Sequence, residues 1–236
     1  MTTALVTAHD VTKTFRTGAL EVRALRGLSL EVHPADFMAL VGPSGSGKTT
    51  LLNLIGALDR PSSGTLSVLG QDLSALSKTA RAKLRLEKIG FVFQAYNLVP
   101  VLTAAENVEF VLELQGVGAR ARRERALDAL AQLGLAELAE RRPNELSGGQ
   151  QQRVAVARAV AAEPALVLAD EPTANLDSEN AEQLMELMRR LHRERGSTFV
   201  FSTHDPRVVA HADRVVTLED GLIARDETKE QEGEGG

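Results

Sequence analysis

Three short runs in this chain are apolar without a break, and each closes on polar residues: FMALVG (Phe37–Gly42), ALVLADE (Ala165–Glu171) and TFVFSTH (Thr198–His204). Unbroken apolarity over so few positions predicts strands buried on both faces, as in a parallel sheet covered by helices. Ligands of such sheets bind beyond the carboxyl ends of the strands. Here those ends carry a glycine loop with a lysine, an Asp-Glu pair and a histidine. Two other stretches, ALEVRALRGLSLEV (Ala19–Val32) and GTLSVLGQDL (Gly64–Leu73), alternate apolar with polar residues and predict a small antiparallel sheet beside the main one. From about Thr103 to Arg158 helical spacing dominates. LTAAENVEFVLELQG opens with a capping box, Thr103 and Glu106 standing three apart, and ARARRERALDALAQLGL follows it. This reads as a helical insert between two strands of one sheet. The expected organisation is one domain over residues 1–225, with antiparallel parts near 1–35 and 62–75 and the insert near 97–160. The charged, glycine-rich end, residues 226–236, is predicted to be disordered.

Length agrees with that picture: 236 residues suffice for one substantial core with a subdomain attached. A formal net charge of -5 argues against a protein that coats nucleic acid. Without cysteine there is no disulfide, thiolate nucleophile or sulfur metal site. The start, MTTALVTAHDVTKTF, lacks the charged-then-apolar layout of a signal peptide. Nor does any apolar run approach the roughly 18 residues of a membrane span. The expectation is a soluble chain, with any membrane role exercised through a second protein.

Candidate chemistry lies at the ends of the apolar runs. Gly42–Thr49 matches G-x-x-x-x-G-K-[ST], the phosphate-binding P-loop. Glycines let backbone N–H groups turn inward around phosphates, and the following helix, predicted from TTLLNLIGAL, offers its positive end. The cradle is expected from Gly42, Ser44, Gly45, Ser46 and Gly47. Lys48 reaches the β- and γ-phosphates, Thr49 coordinates Mg²⁺, and Thr50 completes the loop. No N-K-x-D sequence supports a guanine pocket, so ATP is the expected nucleotide. Asp170 is placed to hold Mg²⁺ through a water, and Glu171 to act as base on an attacking water. An exposed turn before Pro172 would use the same residues. His204 could touch the γ-phosphate and hold that water in line, or simply cap a helix or pack in the interior. Gln94, after IGFVF, could ligate Mg²⁺ or cap a turn, and Phe15 could stack on adenine or pack in a strand core.

A second glycine-bearing helix start, NELSGGQQQRVAVARAV (Asn144–Val160), raises a puzzle. Ser147 and Gln150 form another capping box around Gly148 and Gly149. The segment carries no lysine and no Mg²⁺ ligand. It could hold a γ-phosphate by its backbone and the Ser147 hydroxyl, yet could not hold a nucleotide alone. GPSGSGKTT, Gln94, LSGGQQQR, LVLADEP, NLD and His204 come in the order and spacing of the ATP-binding-cassette ATPases, which this chain resembles from about Val11 to Ile223. The resemblance implies a P-loop NTPase core with a mainly parallel sheet, an antiparallel β subdomain and an inserted α-helical subdomain. It implies Mg-ATP hydrolysis by a head-to-tail pair of copies, with Ser147, Gly148, Gly149 and Gln150 of one copy closing over the ATP held by the other. It also gives Phe15 the adenine-stacking position, more often tyrosine in the family, and places Asp177 in a loop crossing the dimer interface. Asp177 can at the same time cap the helix SENAEQLMELMRRL. Gln94 becomes the link from Mg²⁺ to a membrane subunit.

Three segments, IGFVFQAYNLVPVLTAAENV, ADEPTANLD and STHDPRVVAHADRVVTLEDGLI, look like the lipoprotein-releasing, macrolide-efflux and cell-division ATPases of bacteria. Amino-acid importer ATPases are the alternative. Both imply attachment to the inner face of the cell membrane through an integral membrane partner, for which NLVPVL (Asn97–Leu102) is a candidate docking surface or else core packing. Translation and DNA-repair cassettes fit less well, because the chain has one cassette and no long heptad run. The arginines of ARARRERALD are expected on a solvated helix face and not on nucleic acid.

Overall fold

The computed structural model describes residues 3–18 and 20–229. The first strands, β1 (Val6–Thr17) and β2 (Leu20–Val32), pair antiparallel and set Phe15 opposite Val22. β3 (Phe37–Val41) leads through the glycine loop into α1 (Lys48–Ile55). β4 (Ser63–Val68) and β5 (Gln71–Asp72) then complete a four-stranded antiparallel sheet in the order β2-β1-β4-β5. α2 (Lys78–Lys88), capped by Ser77, precedes β6 (Ile89–Phe93). The helical stretch holds α3 (Ala104–Leu114), α4 (Ala119–Gln132) and α5 (Gly148–Val160), and both of its capping boxes form. β7 (Leu166–Asp170), α6 (Ser178–Arg195), β8 (Thr198–Ser202), α7 (Pro206–Ala210), β9 (Arg214–Glu219) and β10 (Leu222–Thr228) follow. The second sheet is six-stranded, β10-β9-β3-β8-β7-β6, parallel except for its β10 edge. β10 takes in residues 226–228, which correct the expectation of a disordered tail from 226 onward; residues 230–236 lie outside the described residues.

Unbroken apolarity in the central strands has a direct cause, since alternate residues feed two different cores. Phe37, Ala39, Val167, Ala169, Phe199 and Phe201 pack with residues of α3 to α6. Met38, Leu40, Leu166, Leu168 and Val200 point the other way, against Leu51, Leu54 and Ile55 of α1 and the inner face of the antiparallel sheet. A strand with helices on one side and a second layer on the other has no solvent face for polar residues. β2, with one covered face, keeps Leu25, Leu28, Leu30 and Val32 buried while Arg23, Glu21 and Glu31 stay exposed.

Of the four arginines of α4, Arg120 and Arg125 stay exposed, as expected of a solvated face, while Arg122 and Arg123 turn onto α3. Arg122 Nε lies 3.4 Å from Glu109, and Arg123 Nη1 donates to Glu109 at 3.0 Å while Arg123 also pairs with Glu140. The hydrogen bond from Arg123 to Glu109, countered in part by desolvation, raises the guanidinium pKa above its usual value. These charges are spent within the protein. The loop before α3 is held by buried Asn107, whose side chain accepts from Val99 N at 2.7 Å and donates to the carbonyls of Val99, Leu102 and Thr103. So fixed, the loop splits NLVPVL: Leu98 packs on the core, whereas Val101 is 71% exposed.

Candidate active site

Strand register brings the polar strand ends to one level. Phe93 pairs with Asp170 and Asp170 with Ser202, while Leu40 also pairs with Ser202. The next residues out, Val41, Gln94, Glu171 and Thr203, therefore stand side by side at this edge, with His204 one step beyond. The glycine loop folds back over this edge. Gly42 takes φ 145, and a Cβ there would lie 2.1 Å from the Leu218 carbonyl, so no other residue fits without moving β9. Lys48 is buried within the loop and donates through Nζ to the carbonyls of Gly42 at 2.8 Å and Pro43 at 3.1 Å. Ser46 is also buried, its hydroxyl against Gly42.

From Thr49 on α1 a chain of hydrogen bonds runs across the ends of β7 and β8. Thr49 Oγ1 donates to Asp170 Oδ1 at 3.1 Å, Ser202 Oγ donates to the same oxygen at 2.6 Å, and Glu171 N–H donates to Ser202 Oγ at 2.9 Å. Glu171 has φ 47, a left-handed conformation costing a residue with a Cβ on the order of 1–3 kcal/mol and persisting only where its surroundings over-determine it. Here they do. His204 Nδ1 lies 3.0 and 3.1 Å from the two Glu171 carboxylate oxygens, and buried Gln152 on α5 donates from Nε2 to the Pro172 carbonyl at 2.7 Å. A carboxylate only accepts, so Nδ1 of His204 carries the proton and Nε2 is left for another partner.

This edge forms one wall of a cavity of about 730 Å³, within the usual range for small-molecule sites. Ser44, Gly45, Gly47, Lys48, Thr49 and Thr50 line it, facing Gln94, Glu171 and His204. Phe15 and Val22 close the far end. Phe15 is 43% exposed, which sets aside the strand-core reading, and the Lys13 ammonium lies 5.0 Å from its ring centre. Among the described residues no group of three or more His, Cys, Asp and Glu side chains gathers as a metal centre. What does converge is one hydroxyl and one carboxylate, Thr49 and Asp170. That hard-oxygen pair suits Mg²⁺, which binds through one or two protein oxygens and completes its shell with phosphates and water.

Ser147, Gly148, Gly149, Gln150 and Asp177 are not in the cavity wall. Ser147 Oγ accepts from Gln150 N at 3.3 Å and Gln150 Oε1 accepts from Ser147 N at 2.9 Å. The Ser147 hydroxyl proton stays available, and Ser147 and Gly148 face outward. Asp177 caps α6, accepting from Asn180 N at 2.8 Å and from the Asn180 amide, whose oxygen would stand 2.8 Å from a Cβ on Gly149. The Asn180 N–H and side chain hold the Asp177 carboxyl below its ordinary pKa. The signature end and the Asp177 loop are thus in contact within one chain. Ser202 and Gln152 escaped sequence reasoning; the first is hidden in an apolar run and the second in a helix, and only partners distant in sequence reveal either.

Residues 25–174 match the family model described as ABC transporter. The macrolide export ATP-binding/permease protein MacB of Syntrophobacter fumaroxidans is 50% identical over 221 residues, 93% of this chain and 31% of that protein. An uncharacterized ABC transporter ATP-binding protein of Thermotoga maritima is 48% identical over 214 residues, 91% of each. Among solved structures, the dimeric post-hydrolysis state of the ATP-binding cassette MJ0796 bound to ADP and Pi is similar with TM-score 0.89 and 43% identity, covering 95% of this chain and 99% of that one. The chain spans about a third of the length of the MacB relatives.

Proposed function

The chain belongs to the ABC transporter family, and from that premise we propose that it hydrolyses Mg-ATP as one half of a head-to-tail dimer that drives a membrane partner. The observation that carries hydrolysis is the clamped edge: Glu171 with His204, and Asp170 with Thr49, beside a cavity walled by the P-loop. Lys48 leaves the loop carbonyls to meet the phosphates. A magnesium ion, when bound by Thr49 and Asp170, neutralises phosphate charge. Glu171 takes the proton from the attacking water at its carboxylate, a role worth about 10²–10⁴ in rate, while His204 holds that carboxylate and presents Nε2 toward the γ-phosphate. Phe15 stacks on the adenine.

Dimerisation follows from the outward-facing Ser147 and Gly148. Their donors are displayed away from their own chain's cavity, so a second copy can offer its phosphates to them. The dimeric MJ0796 cassette with ADP and Pi supports this reading. Loss of the γ-phosphate would remove the bridge between copies and let them part.

The membrane partner docks in a groove of about 440 Å³ lined by Leu58, Phe91, Phe93, Val99 and Phe110. Its lining includes Asn97 and Val99 of NLVPVL, and Phe93 immediately before Gln94, whose loop would carry motion from the nucleotide. Among the described residues no helix is long and apolar enough to cross a membrane. The MacB relatives are named ATP-binding/permease proteins, and this supports a macrolide-export, lipoprotein-release or division type of partner at the inner face of the membrane. The test is to purify tagged Glu171→Gln protein with ATP from gently solubilised membranes and identify what accompanies it. A few-span membrane protein with a large extracytoplasmic part is expected. A many-span permease would move the chain to the importers, and ribosomes or DNA in place of any membrane protein would overturn the transport reading.

A further inference from the structure

We propose that Ser202 is the positioning residue of the catalytic edge: its buried hydroxyl joins the Asp170 carboxylate to the Glu171 N–H and so fixes the metal-side and base-side acids relative to each other. Its side chain is 0% exposed and lies at the last position of β8, between β3 and β7. Directions of the two bonds are not interchangeable. An N–H can only donate, so Oγ accepts from Glu171 at 2.9 Å and its single proton goes to Asp170 at 2.6 Å.

Two consequences follow for the acids. Thr49 and Ser202 both donate to Oδ1 of Asp170, which limits how that carboxylate can roll. Glu171, in turn, adopts its left-handed φ of 47 with its N–H tied to the adjacent strand, so the base cannot relax without breaking a buried hydrogen bond. An apolar residue in this place would pack as well but would leave the Glu171 N–H unpaired and free one side of Asp170.

This inference rests on the roles given above to Asp170 and Glu171, and the test separates the two. Ser202→Thr and Ser202→Val add nearly the same volume to a closed site and differ by one hydroxyl. ATP turnover of both is measured beside Ser202→Ala. In the Glu171→Gln background, Mn²⁺ affinity at saturating ATP is read by electron paramagnetic resonance. Expected is a kcat about tenfold or more below that of the Thr variant in both Val and Ala, the scale of one charge-assisted hydrogen bond, with KM for ATP little changed. Mn²⁺ binding should weaken severalfold in Val relative to Thr, a difference that packing damage common to both cannot produce. Equal kcat and equal Mn²⁺ affinity in Thr and Val would overturn the proposal, whether both were active or both impaired. Failure of the wild-type chain to hydrolyse ATP would instead sink the hydrolytic reading, while the Mn²⁺ comparison would still judge Ser202.

Discussion

The starts of α1 and α5 both carry glycines and unpaired backbone donors, and of these two only α1 sits in a cavity fit for a nucleotide. At α1 the loop Gly42–Gly47 is opposed by Asp170 and Glu171 from the end of β7 and His204 from beyond β8, and Phe15 reaches over from the antiparallel sheet. At α5 the same local device, Ser147 with Gly148 and Gly149, is opposed by Tyr96 and Asn180 and otherwise faces outward. A helix N-terminus attracts phosphate wherever it occurs. A site arises where the sheet delivers a cation's ligands and a base to the same place. The α5 start has neither, and in the proposed dimer a second copy would bring the phosphates to it.

The largest expected effect tests the complete site. Glu171→Gln should lower ATP turnover about 10²–10⁴-fold by removing the base, while nucleotide binding is kept and ATP now holds the copies together. Steady-state turnover and light scattering with ATP check both halves. Near-normal hydrolysis would refute Glu171 as base, and a protein that stays monomeric with Mg-ATP would undo the proposed dimer.

Next comes the contrast between the two starts. Lys48→Ala should abolish turnover by weakening nucleotide binding, and a charge-bearing substitution, Ser147→Arg, should abolish turnover with binding to the single chain retained. Mixing the two inactive proteins sharpens this. In a head-to-tail pair the two lesions meet in one composite site and leave the other intact, so turnover should reappear. If each chain completed its own site, both sites of the mixed pair would be broken and the mixture would stay inactive.

A smaller effect is expected at the seam between α5 and α6. In Gly149→Ala the new Cβ would lie 2.8 Å from Asn180 Oδ1, and Asn180 cannot simply swing away because Asp177 holds its amide at 3.1 and 2.9 Å. Overpacking of this kind costs about 1–3 kcal/mol. Turnover should fall while ATP binding by one chain is unchanged, and Asn180→Ala in the same protein should restore part of the loss. Absence of that rescue would separate the Asp177 loop from the signature end.

How much of this could be read in advance depended on whether the cause was local. The central strands were legible because burial on two faces leaves a mark in consecutive residues, Phe37–Leu40 and Leu166–Ala169 above all. The capping boxes at Thr103 and Ser147 were legible because their partners stand three residues away. α2 was missed: it buries only Leu84, and a mostly polar helix shows little periodicity. Strand β10 was partly misread because its residues are nearly all exposed and Arg225, Asp226 and Glu227 run together as charges, which looks like disorder until β9 pairs with it. Ser202 could not be found at all. A serine ending TFVFS has no local signal, and its meaning comes from Asp170, 32 positions earlier, through a register fixed by the fold.

The smallest effect concerns a capping box with no phosphate in prospect. Thr103 Oγ1 accepts from Glu106 N at 3.2 Å and Glu106 accepts from Thr103 N at 2.8 Å, the same reciprocal pair that Ser147 and Gln150 make. Thr103→Ala should cost about 1 kcal/mol of stability, seen as a lower midpoint in urea with no change in ATP binding or in kcat. The Ser147→Ala protein should lose a similar amount of stability and, in addition, lose turnover. Equal turnover in the two variants would mean that Ser147 does nothing beyond capping its helix, and the difference between the two glycine-bearing helix starts would then rest on the backbone of Gly148 and Gly149 alone.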